Sequence, residues 1–275
     1  MSAEDQVASH YSLGRIAETI LEAVRQVAED PQNLKPDDLA PVDEFHVGGR
    51  EATDHFVSQL ELQPDTRVLD IGCGIGGPAR YVAAHHGCRV DGVDLTPEYC
   101  DVATLLSEKV GLADRVRFQQ ASALDLPFDD ETFHAAYMIH VGMNIADKEN
   151  CYKEAYRVLQ PGGVFGIYDI LTGESDGALE FPVPWATTAD TSFLAKIDEV
   201  RTHACNAGFT LEHETHRGEF ALELFARLNQ QSGDEAPPVG IHLLMGDNFP
   251  LKAKNMINNV GQGWCSPWEI ICRKA

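Results

Sequence analysis

Two aspartates close two short apolar runs, and the pattern of each run breaks directly after its aspartate. Val68, Leu69 and Ile71 surround Asp70 and lead into Gly72, Gly74, Gly76 and Gly77. Such a run reads as a buried parallel strand. The glycines let backbone come close to a ligand, and the helix after them turns its N–H groups toward it. The spacing Gly72-x-Gly74-x-x-Gly77 also fits a dinucleotide fingerprint. Asp70 argues against that ligand, because a carboxylate at the mouth of the loop repels a pyrophosphate and attracts a cationic amino group. One helix further on, Arg89-Val-Asp-Gly-Val-Asp94 ends on a second acid, placed to accept both hydroxyls of a ribose. The competing role for Asp94 is to cap the helix that starts near Thr96 and Pro97.

Further chemistry gathers where later strands end, since ligands of an open parallel sheet sit beyond the carboxyl ends of its strands. One such end carries Tyr137-Met-Ile-His140-Val-Gly-Met143-Asn144, and another carries Tyr168-Asp169. His140, with an ordinary pKa of about 6.5, is a candidate to take a proton from an amine or hydroxyl. Alternatively its backbone lines a pocket and its ring only packs. Asp169 either accepts a hydrogen bond from a substrate or caps the strand end. Phe45-His46-Val-Gly-Gly-Arg50 is a polar, glycine-rich turn before a helix, where Arg50 could hold a carboxylate or serve the structure alone. Trp185, Trp264 and Trp268 are candidates for an aromatic wall, because aromatic faces attract substituted ammonium groups. Core packing is the competing role, most of all for Trp268.

The elements that must place these residues form an α/β pattern. Strands are predicted near 67–71, 89–94, 115–119, 134–140 and 163–169, with helices near 76–86, 97–110 and 147–159 between them. A helix near 192–207, a strand near 209–214 and a last alternating strand at Ser266–Lys274 continue the pattern. Ahead of this core, Gln6–Ala28 reads as an amphipathic helix and Gly49–Leu62 as a second. Asp30–Pro41, with three prolines, cannot be one helix and reads as a linker. The stretch from about 217 to 263 is long for a connection between strands. It reads as a lid or substrate-shaping insertion with a helix at Glu219–Asn229 and Gly/Pro-rich remainder.

Composition excludes several classes. A chain of 275 residues predicts one or two domains. A net charge of −22, from 43 acidic and 21 basic residues, argues against a nucleic-acid substrate and against anionic membrane. The start Met1-Ser-Ala-Glu-Asp-Gln has neither a basic nor an apolar leader region, and no apolar run is long enough for a bilayer, so a cytoplasmic protein is expected. Seven cysteines without a C-x-x-C pair read as reduced thiols, and eleven histidines without an H-x-x-x-H pair give no expectation of a metal.

Four blocks, in order, resemble the class I methyltransferases that depend on S-adenosyl-L-methionine (SAM): Val68-Leu-Asp-Ile-Gly-Cys-Gly74, Gly92-Val-Asp-Leu95, Ala121-Ser-Ala-Leu-Asp-Leu-Pro-Phe128, and Arg157-Val-Leu-Gln-Pro-Gly-Gly163 with the strand after it. The third block has Ser122 where the family commonly carries an acid, and His134 stands where an Asp is frequent. The resemblance implies a Rossmann-like fold: a mostly parallel seven-stranded sheet with helices on both faces, N-terminal helices and an insertion before the last strand. It implies a helical cap over 1–62 and a methyltransferase domain over 63–275. It also implies SAM as cofactor, with S-adenosyl-L-homocysteine as product, held by Tyr11, Asp70, Gly72, Gly74, Asp94, Leu95, Ser122, Ala123, Leu124 and His140. Substrate would meet His46, Arg50, Met143, Asn144 and Trp185, with His140, Tyr168 and Asp169 as catalytic candidates.

Within the class, Phe45–Arg50, Gly76-Gly-Pro-Ala-Arg80 and His140–Lys148 resemble the glycine–sarcosine and sarcosine–dimethylglycine N-methyltransferases. This implies a small amine as methyl acceptor. A small-molecule oxygen or carbon acceptor, such as a quinone precursor or natural-product intermediate, stays open, and an apolar pocket without a carboxylate-binding arginine would favour it. A silent SAM binder and a nicotinamide-dependent oxidoreductase are the remaining alternatives, and a homodimer is left open. Methyl transfer from a sulfonium mainly needs nucleophile, methyl and sulfur held in line.

Overall fold

The apolar runs become strands, and seven of them pair in the order β3-β2-β1-β4-β5-β7-β6. They are β1 (Arg67–Ile71), β2 (Arg89–Asp94), β3 (Val116–Gln120), β4 (Phe133–Ile139), β5 (Leu159–Thr172), β6 (Phe209–His216) and β7 (Cys265–Lys274). The structure is a computed structural model that describes residues 4, 16–231, 238–245 and 248–275. The first five strands run parallel, and β7 lies antiparallel between β5 and β6. From β1 the chain winds outward to β3, then returns to place β4 on β1's other side. That reversal opens a crevice beyond the ends of β1 and β4, where such sheets bind ligands.

Helices cover both faces, so both faces of the strands are apolar. Leu69, Ile71, Met138, Phe165 and Ile167 pack on one side with Tyr152 of α6 (Lys148–Val158) and Val200 of α7 (Ile197–Ala207). Val68, Ala135, Tyr137 and Tyr168 pack on the other with Phe56 of α3 (Gly49–Ser58) and Val82 of α4 (Gly77–His86). The α7 helix starts at Ile197 rather than near 192, because Phe193 is held extended by a hydrogen bond from its N–H to the Met143 carbonyl, 2.7 Å.

The predicted linker holds a 3-10 turn, Pro36–Leu39, and one helical turn, α2 (Ala40–Asp43). Before it, α1 (Ile16–Val27) presents Ile16, Ile20 and Val24 to Tyr99, Val102 and Leu106 of α5 (Pro97–Lys109). The stretch after β6 is more helical than its composition predicts. It contains α8 (Gly218–Gln231), the single turn α9 (His242–Met245) and α10 (Phe249–Gly261). No helix among the described residues is long and apolar enough to cross a membrane.

Candidate functional site

The glycine loop is built to leave space. Gly72 has φ +75°, and a Cβ on it would sit 2.4 Å from the Val141 side chain, so only glycine lets the loop pass the end of β4. Gly74, at φ +53°, has nothing within 4 Å of where its Cβ would stand. The loop is fastened to β2: the N–H groups of Gly72 and Cys73 donate to the Val93 carbonyl at 2.8 and 2.9 Å.

Asp70 and Asp94 flank this loop. Asp70 is 2% exposed, lies in register between Gly92 and Tyr137, and accepts a hydrogen bond from the Tyr137 hydroxyl at 3.1 Å. Burial pushes its pKa up to about 8, with Asp94 and Glu44 adding to the shift against the Tyr137 hydrogen bond. Asp94 accepts from the N–H of Thr96 (2.8 Å) and of Gly74 (2.9 Å), so it organises the turn into α5 and the glycine loop together. Burial raises its pKa, opposed by those same amides. A carboxylate offers about four acceptor positions, so two backbone amides leave room for ribose hydroxyls.

Both aspartates line a cavity of about 1240 Å³. Such a volume exceeds the roughly 300–1,000 Å³ of an ordinary single-ligand pocket. Its walls divide by chemistry. Strand tips and the glycine loop supply Asp70, Gly72, Gly74, Asp94, Leu95 and the Ser122–Leu124 segment. The Ser122 hydroxyl donates to Glu4 at 2.5 Å and accepts from the N–H of Leu124 at 3.1 Å. Opposite, α8 to α10 present Leu224, Phe225, Leu228, Met245, Phe249 and Met256, with Trp185 beside them. This second half is mostly apolar, with Asn229 and His242 as its polar members.

His46 and His140 stand between the halves. His140 has φ +54°, a left-handed backbone that a histidine adopts only when its surroundings enforce it. The enforcement is visible, since its N–H donates to the Tyr168 carbonyl at 2.7 Å. Its Nε2 is buried without a hydrogen-bond partner among the described residues. Burial and the neighbouring His46 hold its pKa well below the ordinary value. The His46 Nε2 lies 3.2 Å from the Gly49 carbonyl and 3.0 Å from the Thr53 hydroxyl. A carbonyl can only accept, so this nitrogen carries the proton. Burial brings His46 down to about 4. Both rings are therefore neutral at neutral pH.

Residues that sequence reasoning misses complete this wall. Glu44 is 4% exposed, lines the cavity, accepts from the Thr53 hydroxyl at 2.6 Å and contacts Arg50 Nε through Oε1 at 2.8 Å. Asp43 accepts from Nε and Nη2 of the buried Arg80. The one signal for them is an acidic pair directly before Phe45–Arg50.

Most expected site residues converge on the cavity: Asp70, Gly72, Gly74, Asp94, Leu95, Ser122, Ala123, Leu124 and His140, and also His46, Arg50, Met143, Asn144 and Trp185. Asn144 spends its amide on the carbonyls of Trp185 (2.9 Å) and Thr191 (3.1 Å), tying two loops together. Tyr168 and Asp169, expected as catalytic candidates, stand behind the cavity wall and not in its lining, with the Tyr168 ring against His46 and His140. Tyr168 is fully buried, with its hydroxyl donating to the Val47 carbonyl at 2.7 Å, and so holds the Phe45–Arg50 turn against β5. Asp169 accepts from the N–H of Ile170 (3.1 Å) and from Gly142 and Met143, so it anchors the turn after His140. Tyr11 lies outside the described residues. Of the three tryptophans, Trp185 faces the cavity, Trp268 packs in β7 against His216, and Trp264 sits beside Gly177. Among the described residues no group of three or more His, Cys, Asp or Glu is arranged to hold a metal ion.

The sequence and the fold were compared with known proteins. Residues 69–167 match a methyltransferase domain. The chain is 37% identical over 119 residues to a sterol 24-C-methyltransferase of Gibberella zeae, an alignment covering 43% of this chain and 31% of that one. The chain spans less than half the length of the curated relatives it matches, from 31% to 48%. In fold it is similar to geranyl diphosphate C-methyltransferase from Streptomyces coelicolor (TM-score 0.72, 17% identity, covering 100% of this chain and 98% of that one). It is similar as well to a candidate sarcosine dimethylglycine methyltransferase from Galdieria sulphuraria (TM-score 0.64, 19% identity, covering 82% and 85%). The matched stretch contains the end of β1, the glycine loop, Asp94 and His140. The chain's fold is the Rossmann-like methyltransferase fold.

Proposed function

We propose that this protein transfers the methyl group of SAM to a small, largely apolar molecule. The cofactor half of the site suits SAM. Asp70 would take the ammonium of the methionine end, Asp94 the ribose hydroxyls, and the Ser122–Leu124 segment the edge of the base. SAM supplies a methyl already activated on a positive sulfur, so the protein's task is to hold an acceptor in line and exclude water.

The observation that carries the acceptor class is the apolar wall from Leu224 to Met256, facing a cavity of about 1240 Å³. A sterol 24-C-methyltransferase among similar proteins supports an extended hydrocarbon acceptor methylated at carbon, and a geranyl diphosphate C-methyltransferase of similar fold supports the hydrocarbon part of it. The second reading, a sarcosine-like amine, is supported by the Phe45–Arg50 and His140–Lys148 segments. Among the described residues it lacks a free cation in the cavity for the substrate carboxylate. His140, with a bare buried nitrogen, is the group of this chain best placed to take a proton at the acceptor.

Calorimetric titration with SAM, S-adenosylhomocysteine and NADH tests the cofactor. Turnover assays with hydroxylated isoprenoids and with sarcosine and dimethylglycine test the acceptor. Binding of NADH without SAM refutes the reading. Turnover of sarcosine without any isoprenoid refutes the apolar acceptor.

A further inference from the structure

The cavity carries acids but, among the described residues, no unengaged cation. Asp43, Glu44, Asp70 and Asp94 line it, and Arg50 is the sole lysine or arginine to do so among the described residues. Arg50 is not free. Its Nε lies 2.8 Å from the buried Glu44 Oε1, its Nη1 lies 3.9 Å from Oδ1 of the exposed Asp37, and its guanidinium stacks on the Tyr81 ring at 4.5 Å. Glu44 is in turn fixed by the Thr53 hydroxyl. The ion pair is nevertheless poor in hydrogen bonds. Glu44 Oε1 and the Nε and Nη1 of Arg50 are buried, and none has a partner of hydrogen-bonding geometry among the described residues. Burial raises the Glu44 pKa, opposed by Arg50 and by the Thr53 hydrogen bond; in its ionised form Glu44 cancels the charge of Arg50 while leaving its donors unsatisfied. The two histidines beside the pair add no positive charge, because burial keeps both neutral.

Resting on the methyltransferase reading, we infer that Glu44 is a specificity-determining residue, which neutralises Arg50 so that the acceptor pocket rejects carboxylates and phosphates and admits uncharged molecules. An anion entering the wild-type pocket would lose its hydration and meet Arg50 already compensated by Glu44. Desolvating a charge without a partner is costly, and juxtaposition with the Glu44 carboxylate adds to that cost. If Glu44 is made neutral, Arg50 keeps only the exposed, solvent-screened Asp37 as counter-charge, and its planar fork can offer its unsatisfied donors to a carboxylate.

The test is a gain of binding. Benzoate and its uncharged isostere benzamide are titrated calorimetrically into the S-adenosylhomocysteine complex of the full chain, as wild type, Glu44→Gln, and Glu44→Gln with Arg50→Met. Wild type is expected to prefer benzamide. Glu44→Gln is expected to bind benzoate at least about tenfold tighter than wild type, with benzamide unchanged, and Arg50→Met is expected to abolish the gain. Thermal melting checks that each variant is folded. No gain for benzoate in folded Glu44→Gln overturns the inference, and so does a wild type that prefers benzoate. The wild-type preference decides the matter if the variant does not fold. Failure of the wild type to bind S-adenosylhomocysteine would instead refute the methyltransferase reading itself.

Discussion

Asp70 offers the sharpest test, because its position makes SAM binding a proton-linked event. In the ligand-free chain burial and two neighbouring acids place its pKa at about 8. At pH 7 such a group is about nine-tenths protonated. An ammonium ligand interacts with the ionised form, so binding lowers the pKa and expels the proton. Close to one proton, about 0.9, leaves per SAM bound at pH 7, and the number falls toward zero above pH 8. The affinity therefore climbs with pH, by up to about tenfold per unit well below pH 8, and turns down where the ligand's own α-amino group loses its proton. A charge-assisted hydrogen bond contributes roughly 1.5–3 kcal/mol, and about 1.4 kcal/mol is a factor of ten. Asp70→Asn should then weaken SAM binding by about 10- to 100-fold near pH 8.5, and by less at pH 7, where wild type must first ionise. Calorimetry in buffers of different ionisation enthalpy reads both affinity and proton count. The same shift acts on folding: the folded chain holds this proton up to about pH 8 and the unfolded chain only to about 3.8. Its contribution to stability is present at low pH and is lost as the pH rises toward 8. Wild-type binding without proton release, or equal release in Asp70→Asn, would refute the assignment.

Gly72→Ala places a methyl against Val141 in a left-handed backbone, so the loop must shift. S-adenosylhomocysteine affinity should fall at least about tenfold, with a melting-temperature loss worth roughly 1–3 kcal/mol. Asp43→Asn leaves Arg80 buried without its counter-charge and should cost about 3–5 kcal/mol in denaturant unfolding. Arg80→Met on that background should recover part of the loss, and its failure to do so would place the defect elsewhere. Met256→Trp fills the apolar half of the cavity. By narrowing that half it should weaken binding of an extended isoprenoid in calorimetry while S-adenosylhomocysteine affinity stays within about twofold of wild type, since side chains on opposite walls act independently.

The cofactor half was legible because few sequences can build it. β1 and β2 fall at the predicted residues, 67–71 and 89–94, since a short apolar run between glycines and charges has little freedom in its ends. β5 is longer than predicted. Leu159 pairs with Phe133 and Val164 with Ala135, and the Pro161-Gly-Gly163 turn is absorbed in that register shift instead of ending the strand. The acceptor half was not legible. In α10, Pro250 sits in the first turn, where a missing N–H costs nothing, but in the sequence it reads as a breaker. The same helix buries Asn255 and Asn259, which donate to the carbonyls of Pro182 (2.9 Å) and Glu180 (3.0 Å). Those partners are distant in the chain, so a hydrophobic pattern cannot reveal the helix. Glu44 was missed for a related reason, as its burial depends on Thr53 and Arg50, each presented by the next helix.

This contrast has a physical basis in how the cavity is assembled. The cofactor wall comes from backbone at the tips of parallel strands, fixed by ladder hydrogen bonds and by Gly72, where a side chain would meet Val141. Its chemistry is the same for any acceptor. The acceptor wall comes from side chains on α8, α9 and α10, which touch the sheet only through packing. Apolar side chains there can be exchanged for others of similar volume at little cost, usually below about 1.5 kcal/mol. Substitutions on that wall should therefore change which molecule is methylated without disturbing how SAM is held. Glu44 and His46 lie where the walls meet, on a turn held to β5 by the Tyr168 hydroxyl. A change at that junction touches both ligands at once, which makes it the place where charge selectivity for the acceptor is set.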